Sequence, residues 1–190
     1  MKPLFVAARE VQDHLGRAGE EFCFIGGLAL QRWGEPRFTR DVDLTLLCPL
    51  GSEAGSIDRI LAGFGPRIAG AREFALRNRV ILVQSSSGIP IDVALGALPF
   101  EQRCVERASS IDFGDGAILT TCAAEDLVVL KAFAGRARDW ADIESILVRQ
   151  RRTLRWELVL DELRPLLELR EASEGIDQLL KLKDRIDRGG

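Results

Sequence analysis

Two aspartates, Asp41 and Asp43, interrupt the segment 38–47, which otherwise has the apolar composition of a β-strand. Aspartate is depleted in strands because its side chain packs poorly there and competes for backbone hydrogen bonds. Side chains alternate across a strand, so both carboxylates are predicted to face the same side, about 6–7 Å apart along the chain. Two like charges so placed repel each other unless a cation or a proton intervenes. The pair therefore predicts a divalent metal site, with an exposed strand edge or a turn as the alternative.

Composition indicates a globular protein. The chain has 190 residues, 46% of them hydrophobic and 29% charged, which suits either one ordinary domain or one domain with a small helical appendage. We expect no transmembrane helix, because no apolar run reaches about 18 residues, and no signal peptide, because charges come early in the N-terminal segment. The four cysteines lack a C-x-x-C pair, which predicts reduced thiols in a cytoplasmic protein. They are Cys23, Cys48, Cys104 and Cys122.

The scarcity of histidine and lysine limits the chemistry. His14 is the only histidine, which argues against a Ser-His-Asp or Cys-His mechanism and excludes a histidine-rich metal site. Acid-base chemistry must then fall to carboxylates, lysine or metal-bound water. Only four lysines are present, at positions 2, 131, 181 and 183. The net charge of −3 gives no overall attraction to nucleic acid.

The pattern along the chain predicts an α+β fold with a mixed sheet, in which an α/β core over residues 1–122 precedes a helical region over 123–190 packed on that core. Helical periodicity and turn residues favour helices at 3–19, 28–33, 57–64, 123–134, 140–149, 155–169 and 176–188. Apolar and β-branched runs favour strands at 22–25, 38–47, 79–84, 89–95 and 118–120. Residues 67–76 and 100–107 are ambiguous.

Two further segments carry candidate site residues in the predicted core. Gly26 and Gly27 join a strand to a helix, a corner where backbone N–H groups can hold a phosphate, although most such corners are structural. Asp92 is the one acid in the apolar strand 89–95, and a third carboxylate beside Asp41 and Asp43 would suit a two-metal phosphoryl-transfer site. A solvent-facing aspartate on an edge strand is the alternative.

A third segment lies in the helical region. Lys131 stands in an almost wholly apolar helix, so its side chain either extends to solvent or enters a polar site. Asp139 and Asp142 follow three residues apart, which places them on one helix face. Alternatively, Asp139 is the N-cap of that helix and Asp142 lies in its first turn.

Together these segments resemble the nucleotidyltransferase superfamily with a polymerase-β-like core, and most closely its AbiEii/AbiGii toxin-type branch. The likeness extends over about residues 20–147 and rests on three motifs. They are Gly26-Gly27-Leu28-Ala29-Leu30; Arg37-Phe38-Thr39-Arg40-Asp41-Val42-Asp43-Leu44; and Asp92 followed by Lys131 and Arg138-Asp139-Trp140-Ala141-Asp142. The wider superfamily often has Gly-Ser where this chain has Gly26-Gly27, which removes a hydroxyl from the phosphate-binding corner.

The resemblance implies an enzyme that moves a nucleoside monophosphate from an NTP, such as ATP, to an acceptor hydroxyl. It implies Mg²⁺ ions held by Asp41, Asp43 and Asp92, with Asp92 as an alternative general base. Phosphate and nucleotide contacts would come from Gly26, Gly27, Arg37, Arg40, Lys131, Asp139 and Asp142. Family members modify tRNA, proteins or antibiotics, so the acceptor stays open, and a toxin role would require an antitoxin partner. The C-terminal helices fit either a cover over the active site or an oligomer interface.

Two alternatives remain at the level of sequence. The chain could be a catalytically silent nucleotide-binding or interaction protein that keeps the fold. It could also be a plain α/β domain whose acids lie on the surface. The three acids favour an intact site, because clustered carboxylates without a cation reduce stability.

Overall fold

The computed structural model describes residues 2–170 and 174–188. Over these residues the chain forms nine helices and one seven-stranded mixed sheet, which confirms the predicted α+β class. The chain divides into two compact units. The sheet unit comprises Met1–Leu28 and Phe38–Cys122, and the helical unit comprises Ala29–Arg37 and Ala123–Gly190.

The sheet lies in the sheet unit, with strand order β3-β4-β5-β2-β1-β7-β6. The pairs β2–β5 and β1–β7 are parallel, and the other neighbours are antiparallel. The strands are β1 (Phe22–Phe24), β2 (Val42–Leu47), β3 (Gly65–Pro66), β4 (Val80–Gln84), β5 (Pro90–Gly96), β6 (Ser109–Asp112) and β7 (Ile118–Thr121).

One face of the sheet forms the apolar core. Val42, Leu44 and Leu46 of β2 and the alternate residues Ile91 and Val93 of β5 are fully buried, as the period of two in a half-buried strand requires. The residues between them, including the aspartates, point to the opposite face. The helices that lie wholly in the sheet unit are α1 (Pro3–Arg17), α3 (Glu53–Gly63), α4 (Ala71–Asn78) and α5 (Pro99–Glu106).

The helical unit buries amphipathic stripes. Ile143, Ile146 and Leu147 of α7 repeat at three- and four-residue spacing, as do Val159 and Leu163 of α8. The helices are α6 (Ala124–Ala134), α7 (Ala137–Gln150), α8 (Trp156–Leu169) and α9 (Glu174–Arg188). Helix α2 (Gly26–Trp33) begins in the sheet unit and ends in the helical unit.

Several predicted boundaries are wrong. Strand β2 begins at Val42, so the predicted strand 38–47 is too long and Asp41 precedes it. The ambiguous segment 67–76 contains the start of α4. Strand β6 was not predicted, because all four of its residues are exposed and show no apolar alternation.

The four cysteines and the one histidine all lie in the sheet unit. All four cysteines are buried reduced thiols, as the sequence predicts. His14 packs edge-on against Phe64, and its Nε2 lies 3.2 Å from the carbonyl oxygen of Arg59, so it has a packing role. No helix within the described residues is long and apolar enough to span a membrane.

Candidate active site

Asp43 and Asp92 are direct neighbours across two strands. In the parallel pair β2–β5 they occupy the same register position, so their side chains leave the same face of the sheet, and neighbouring strands lie about 4.8 Å apart. Both residues are partly exposed on the face opposite the core. The structure thus brings together two of the three predicted metal ligands on adjacent strands.

Asp41 lies in the bend immediately before β2. The hydroxyl of Thr39 donates a 2.9 Å hydrogen bond to Asp41 Oδ1, which fixes one oxygen of this carboxylate. The pKa of Asp92 is raised, first by burial and in part by the negative charge of Asp41, although Arg67 partly offsets the shift. Asp41 and Asp92 therefore interact electrostatically, as expected for carboxylates around a common volume.

Gly26 and Gly27 make room for the acidic segment. Gly26 has φ +57°, a left-handed conformation that glycine adopts without penalty. A Cβ atom there would overlap with the carboxylate of Asp43, and one at Gly27 would overlap with the side chain of Thr39. The two glycines thus allow close packing of Asp43 and of Thr39, the hydrogen-bond donor to Asp41. Their contact with a phosphate stays a prediction.

Arg67 is a residue of this face that the sequence did not reveal. Its Nη2 forms an ion pair with Asp92 Oδ1. Its backbone N–H donates a 3.0 Å hydrogen bond to the carbonyl of Leu82, which is the β4 partner of Asp92. Arg67 follows the short edge strand β3, and no motif marked it.

The acidic residues suit a divalent cation in part. Within the described residues, no set of three acidic, histidine or cysteine side chains is already arranged as a metal site. Mg²⁺ needs only one or two carboxylates when water and substrate phosphates complete its octahedron. The adjacent Asp43 and Asp92, with Asp41 immediately before β2, offer those carboxylates, and a bound cation would relieve their repulsion. Metal binding by Asp41, Asp43 and Asp92 stays a prediction.

A second polar cluster lies inside the helical unit. Lys131 is 5% exposed, and its Nζ donates hydrogen bonds of 2.6 Å to Asp142 Oδ2 and 3.4 Å to Asp139 Oδ1. Asp139 is not the N-cap of α7, because Arg136 occupies that position. Arg136 Nε lies 2.7 Å from the second oxygen of Asp139. The structure thus joins all three candidate residues of this region in one network.

Arg37 binds Asp142 through both carboxylate oxygens. Its Nε and Nη2 each lie 2.8 Å from one of the two oxygens, the bidentate geometry that arginine provides. Burial raises the pKa of Asp142, but hydrogen bonds from Arg37 and Lys131 outweigh it, so the pKa lies below its usual value. Asp142 is therefore an ionised carboxylate between two cations, and Arg37 is bound within the helical unit.

The segment before Asp41 presents two exposed side chains. Phe38 is 76% exposed, and the guanidinium of Arg40 lies 5.6 Å from the centre of its ring. Arg40, a predicted nucleotide contact, is thus at the surface beside the acidic residues along the chain. Phe38 was not among the predicted site residues, although exposed aromatic rings are frequent in binding sites.

Sequence comparison identifies a family model. Residues 14–185 match the model described as the nucleotidyl transferase AbiEii toxin of type IV toxin-antitoxin systems. No curated protein of similar sequence was found.

Structure comparison supports the same fold. The antibiotic-resistance factor ANT(2'')-Ia, known from a solution structure described as showing substrate-regulated conformation dynamics, aligns with a TM-score of 0.56 at 14% identity, over 90% of this chain and 94% of that one. An antigenic nucleotidyltransferase-like protein from Paracoccidioides brasiliensis aligns with a TM-score of 0.49 at 15% identity, over 91% of each chain. The likeness to ANT(2'')-Ia establishes the fold only.

Proposed function

The chain belongs to the AbiEii nucleotidyltransferase toxin family, and on that premise we propose that it transfers a nucleoside monophosphate from an NTP to an acceptor hydroxyl in a Mg²⁺-dependent reaction. The acceptor classes consistent with this chemistry are RNA or tRNA, protein and small molecules. As a toxin-family member, it would act beside an antitoxin partner.

The observation that carries the proposal is the register of β2 and β5. Asp43 and Asp92 lie side by side on one face, and the charge of Asp41 acts on Asp92. A fold that only needed stability would gain little from three acids on one partly exposed face, because they repel one another. Carboxylates so placed can hold a cation at the triphosphate of a substrate.

The proposed reaction is an in-line displacement at phosphorus. The acceptor oxygen forms a bond to the α-phosphorus, the bond from that phosphorus to the bridging oxygen of the β-phosphate breaks, and pyrophosphate leaves. Asp92 either accepts the proton of the acceptor hydroxyl, a role that its raised pKa favours, or is a metal ligand. Asp41, Asp43 and Asp92 would hold Mg²⁺, which would supply Lewis-acid stabilisation of the phosphate charge.

The remaining residues have proposed binding roles. Backbone N–H groups at Gly26 and Gly27 would hold phosphates at the start of α2. Arg40, exposed before Asp41, would contact a substrate phosphate.

The polar cluster in the helical unit has two kinds of proposed role, contact with the substrate and support of its own members. Lys131 would neutralise phosphate charge after exchanging its present partners, or would orient Asp142. Asp139, Asp142 and Arg37 would hold this cluster in place and contact the nucleotide.

The test is incubation with α-³²P-labelled NTPs, Mg²⁺ and total cellular RNA, for the wild type, Asp43→Asn and the matched control Asp13→Asn, which changes an exposed acid on α1. We expect label on RNA or on protein with the wild type and Asp13→Asn, and none with Asp43→Asn. Equal labelling by all three proteins would contradict the assigned site. Labelling of neither acceptor class would direct the search to small molecules.

The alternative is a nucleotide-binding protein that retains the fold without catalysis. A thermal shift with Mg²⁺ and ATP distinguishes both binding hypotheses from a plain α/β domain, because a ligand that binds the native state raises the apparent stability. A shift without transfer to any acceptor, small molecules included, would favour the silent protein. The absence of both would contradict the nucleotide site.

A further inference from the structure

We propose that Arg67 is a positioning residue that holds Asp92 as a built-in counter-ion, so that a metal ion competes with Arg67 for this carboxylate when Asp92 joins the metal site. The inference rests on the proposed function, because it assumes that Asp92 is a metal ligand. It assigns a role to a residue outside every motif that the sequence analysis identified.

The backbone around Arg67 fixes its position relative to Asp92. The N–H of Arg67 is bonded to the carbonyl of Leu82 on β4, and Leu82 is in register with Asp92 on β5. Asp92 is in turn in register with Asp43 on β2. Arg67, Leu82, Asp92 and Asp43 therefore form one row across the sheet, in which the arginine side chain extends past Leu82 to reach the acid.

In this row the positive charge of Arg67 lies on the side of the acids that faces the β3 edge of the sheet. Gly26 lies against Asp43, at the other end of the row from Arg67. A substrate phosphate at the start of α2 would thus approach from the side away from Arg67. Arg67 would therefore not block that phosphate, although it forms an ion pair with Asp92.

The guanidinium and a metal ion would share one carboxylate. Asp92 Oδ1 accepts from Arg67 Nη2, so a metal ion that binds Asp92 must either take this oxygen or lie beside the positive charge of the guanidinium, and both weaken the ion pair. Both side chains are partly exposed, 27% for Arg67 and 34% for Asp92, so the ion pair can open without exposing a core. An exposed ion pair contributes only about 0.2–1 kcal/mol, which a divalent cation can overcome.

Competition predicts that removal of Arg67 strengthens metal binding. The free energy now required to break the pair corresponds to roughly a 1.4- to fivefold change in affinity. A purely structural ion pair would behave differently. If Asp92 took no part in metal binding, the loss of Arg67 would act only through the net charge, like the loss of any other nearby arginine.

The test is a Mn²⁺ titration followed by electron paramagnetic resonance, for the wild type, Arg67→Gln and the charge-matched control Arg72→Gln. Arg72 forms an exposed ion pair with Asp58 in the same unit. We expect Arg67→Gln to bind Mn²⁺ roughly 1.4 to five times more tightly and Arg72→Gln to resemble the wild type. Far-UV circular dichroism verifies that each variant is folded.

The same substitution made in an Asp92→Asn variant tests whether Arg67 acts through Asp92. In Asp92→Asn the gain from Arg67→Gln should disappear, since the competing acid is gone and the two changes are coupled. A gain that persists there, an unchanged affinity in Arg67→Gln, or an equal gain in Arg72→Gln would each overturn the proposal.

The failure of the proposed function gives a different pattern. If Asp43→Asn leaves Mn²⁺ binding intact, the acidic residues are not the metal site, and the proposed function fails together with the role of Arg67. If Asp43→Asn abolishes binding while Arg67→Gln leaves it unchanged, only the role of Arg67 is overturned.

Discussion

Gly26 lies so close to Asp43 that a Cβ atom at Gly26 would overlap with the carboxylate. The next glycine has the same relation to Thr39, whose hydroxyl donates to Asp41. Each glycine is thus matched to one of the two aspartates, directly or through one side chain. The Gly-Gly corner and the Asp-x-Asp segment therefore pack against each other and depend on each other's shape.

Replacement of Gly26 by alanine should weaken metal binding. The added Cβ must displace Asp43, and the left-handed backbone adds about 1–2 kcal/mol of strain. Gly19→Ala is the matched control, because Gly19 has φ +69° and nothing within 4 Å of an added Cβ. We expect both variants to lose stability in thermal unfolding, Gly26→Ala more than Gly19→Ala because of the overlap with Asp43, and only Gly26→Ala to lose Mn²⁺ affinity. Equal affinity in both variants would contradict the assigned packing role.

Asp142 should be a strong contributor to stability. It lies buried between Arg37 and Lys131, and removal of one partner from a buried ion pair typically costs about 3–5 kcal/mol. We expect Asp142→Asn to lower the free energy of unfolding in urea by about 3 kcal/mol. Asp161→Asn, at an exposed position of α8, should stay within about 0.5 kcal/mol of the wild type. Similar values for the two variants would contradict the network.

The same carboxylate should make the protein sensitive to acid. The pKa of Asp142 is lower in the folded protein than its usual value, which is about 3.9 in an unfolded chain. Its stabilisation is therefore fully present above about pH 4 and is lost as the pH falls through the folded pKa.

Urea titrations across this range measure the effect. The difference in unfolding free energy between the wild type and Asp142→Asn should shrink as the pH falls from about 6 to about 3. A difference that stays constant, or that grows towards acid, would show that Asp142 does not titrate as assigned.

A toxin role predicts growth arrest that depends on the acidic site. Induced expression of the wild type should reduce colony counts, and Asp43→Asn should restore them, since the arrest would require the transfer reaction. Asp13→Asn, with an exposed change on α1, should arrest growth like the wild type. Immunoblots establish equal expression. Arrest by Asp43→Asn as well would indicate an effect other than transfer by this site.

The sequence could predict the local parts of this architecture. The apolar alternation of β5, with Asp92 as its one acid, identified both the strand and the candidate residue. Helical spacing identified most helices, and the lone Lys131 in an apolar helix indicated a polar network, in which the structure places it with Asp139 and Asp142.

The sequence raised the hypothesis that Asp92 lies beside Asp41 and Asp43, but it could not determine the order of the strands. The neighbour relation of Asp43 and Asp92 follows from the pairing of β2 with β5, which are separated along the chain by α3, β3, α4 and β4. Arg67 follows a two-residue edge strand, and its role arises from a long side chain that crosses β4. A two-residue edge strand is too short to show a periodic pattern, and the contact made by a long side chain produces no such pattern either.

The proposed function requires Asp43 and Asp92 to share one metal ion, and the most direct test is a double-mutant cycle on Mn²⁺ affinity with Asp43→Asn, Asp92→Asn and the double variant. Two ligands of one ion should be coupled, so the double variant should lose clearly less affinity than the sum of the two single losses in free energy. Unchanged Mn²⁺ affinity in both single variants, or two losses that add without coupling, would contradict the common site.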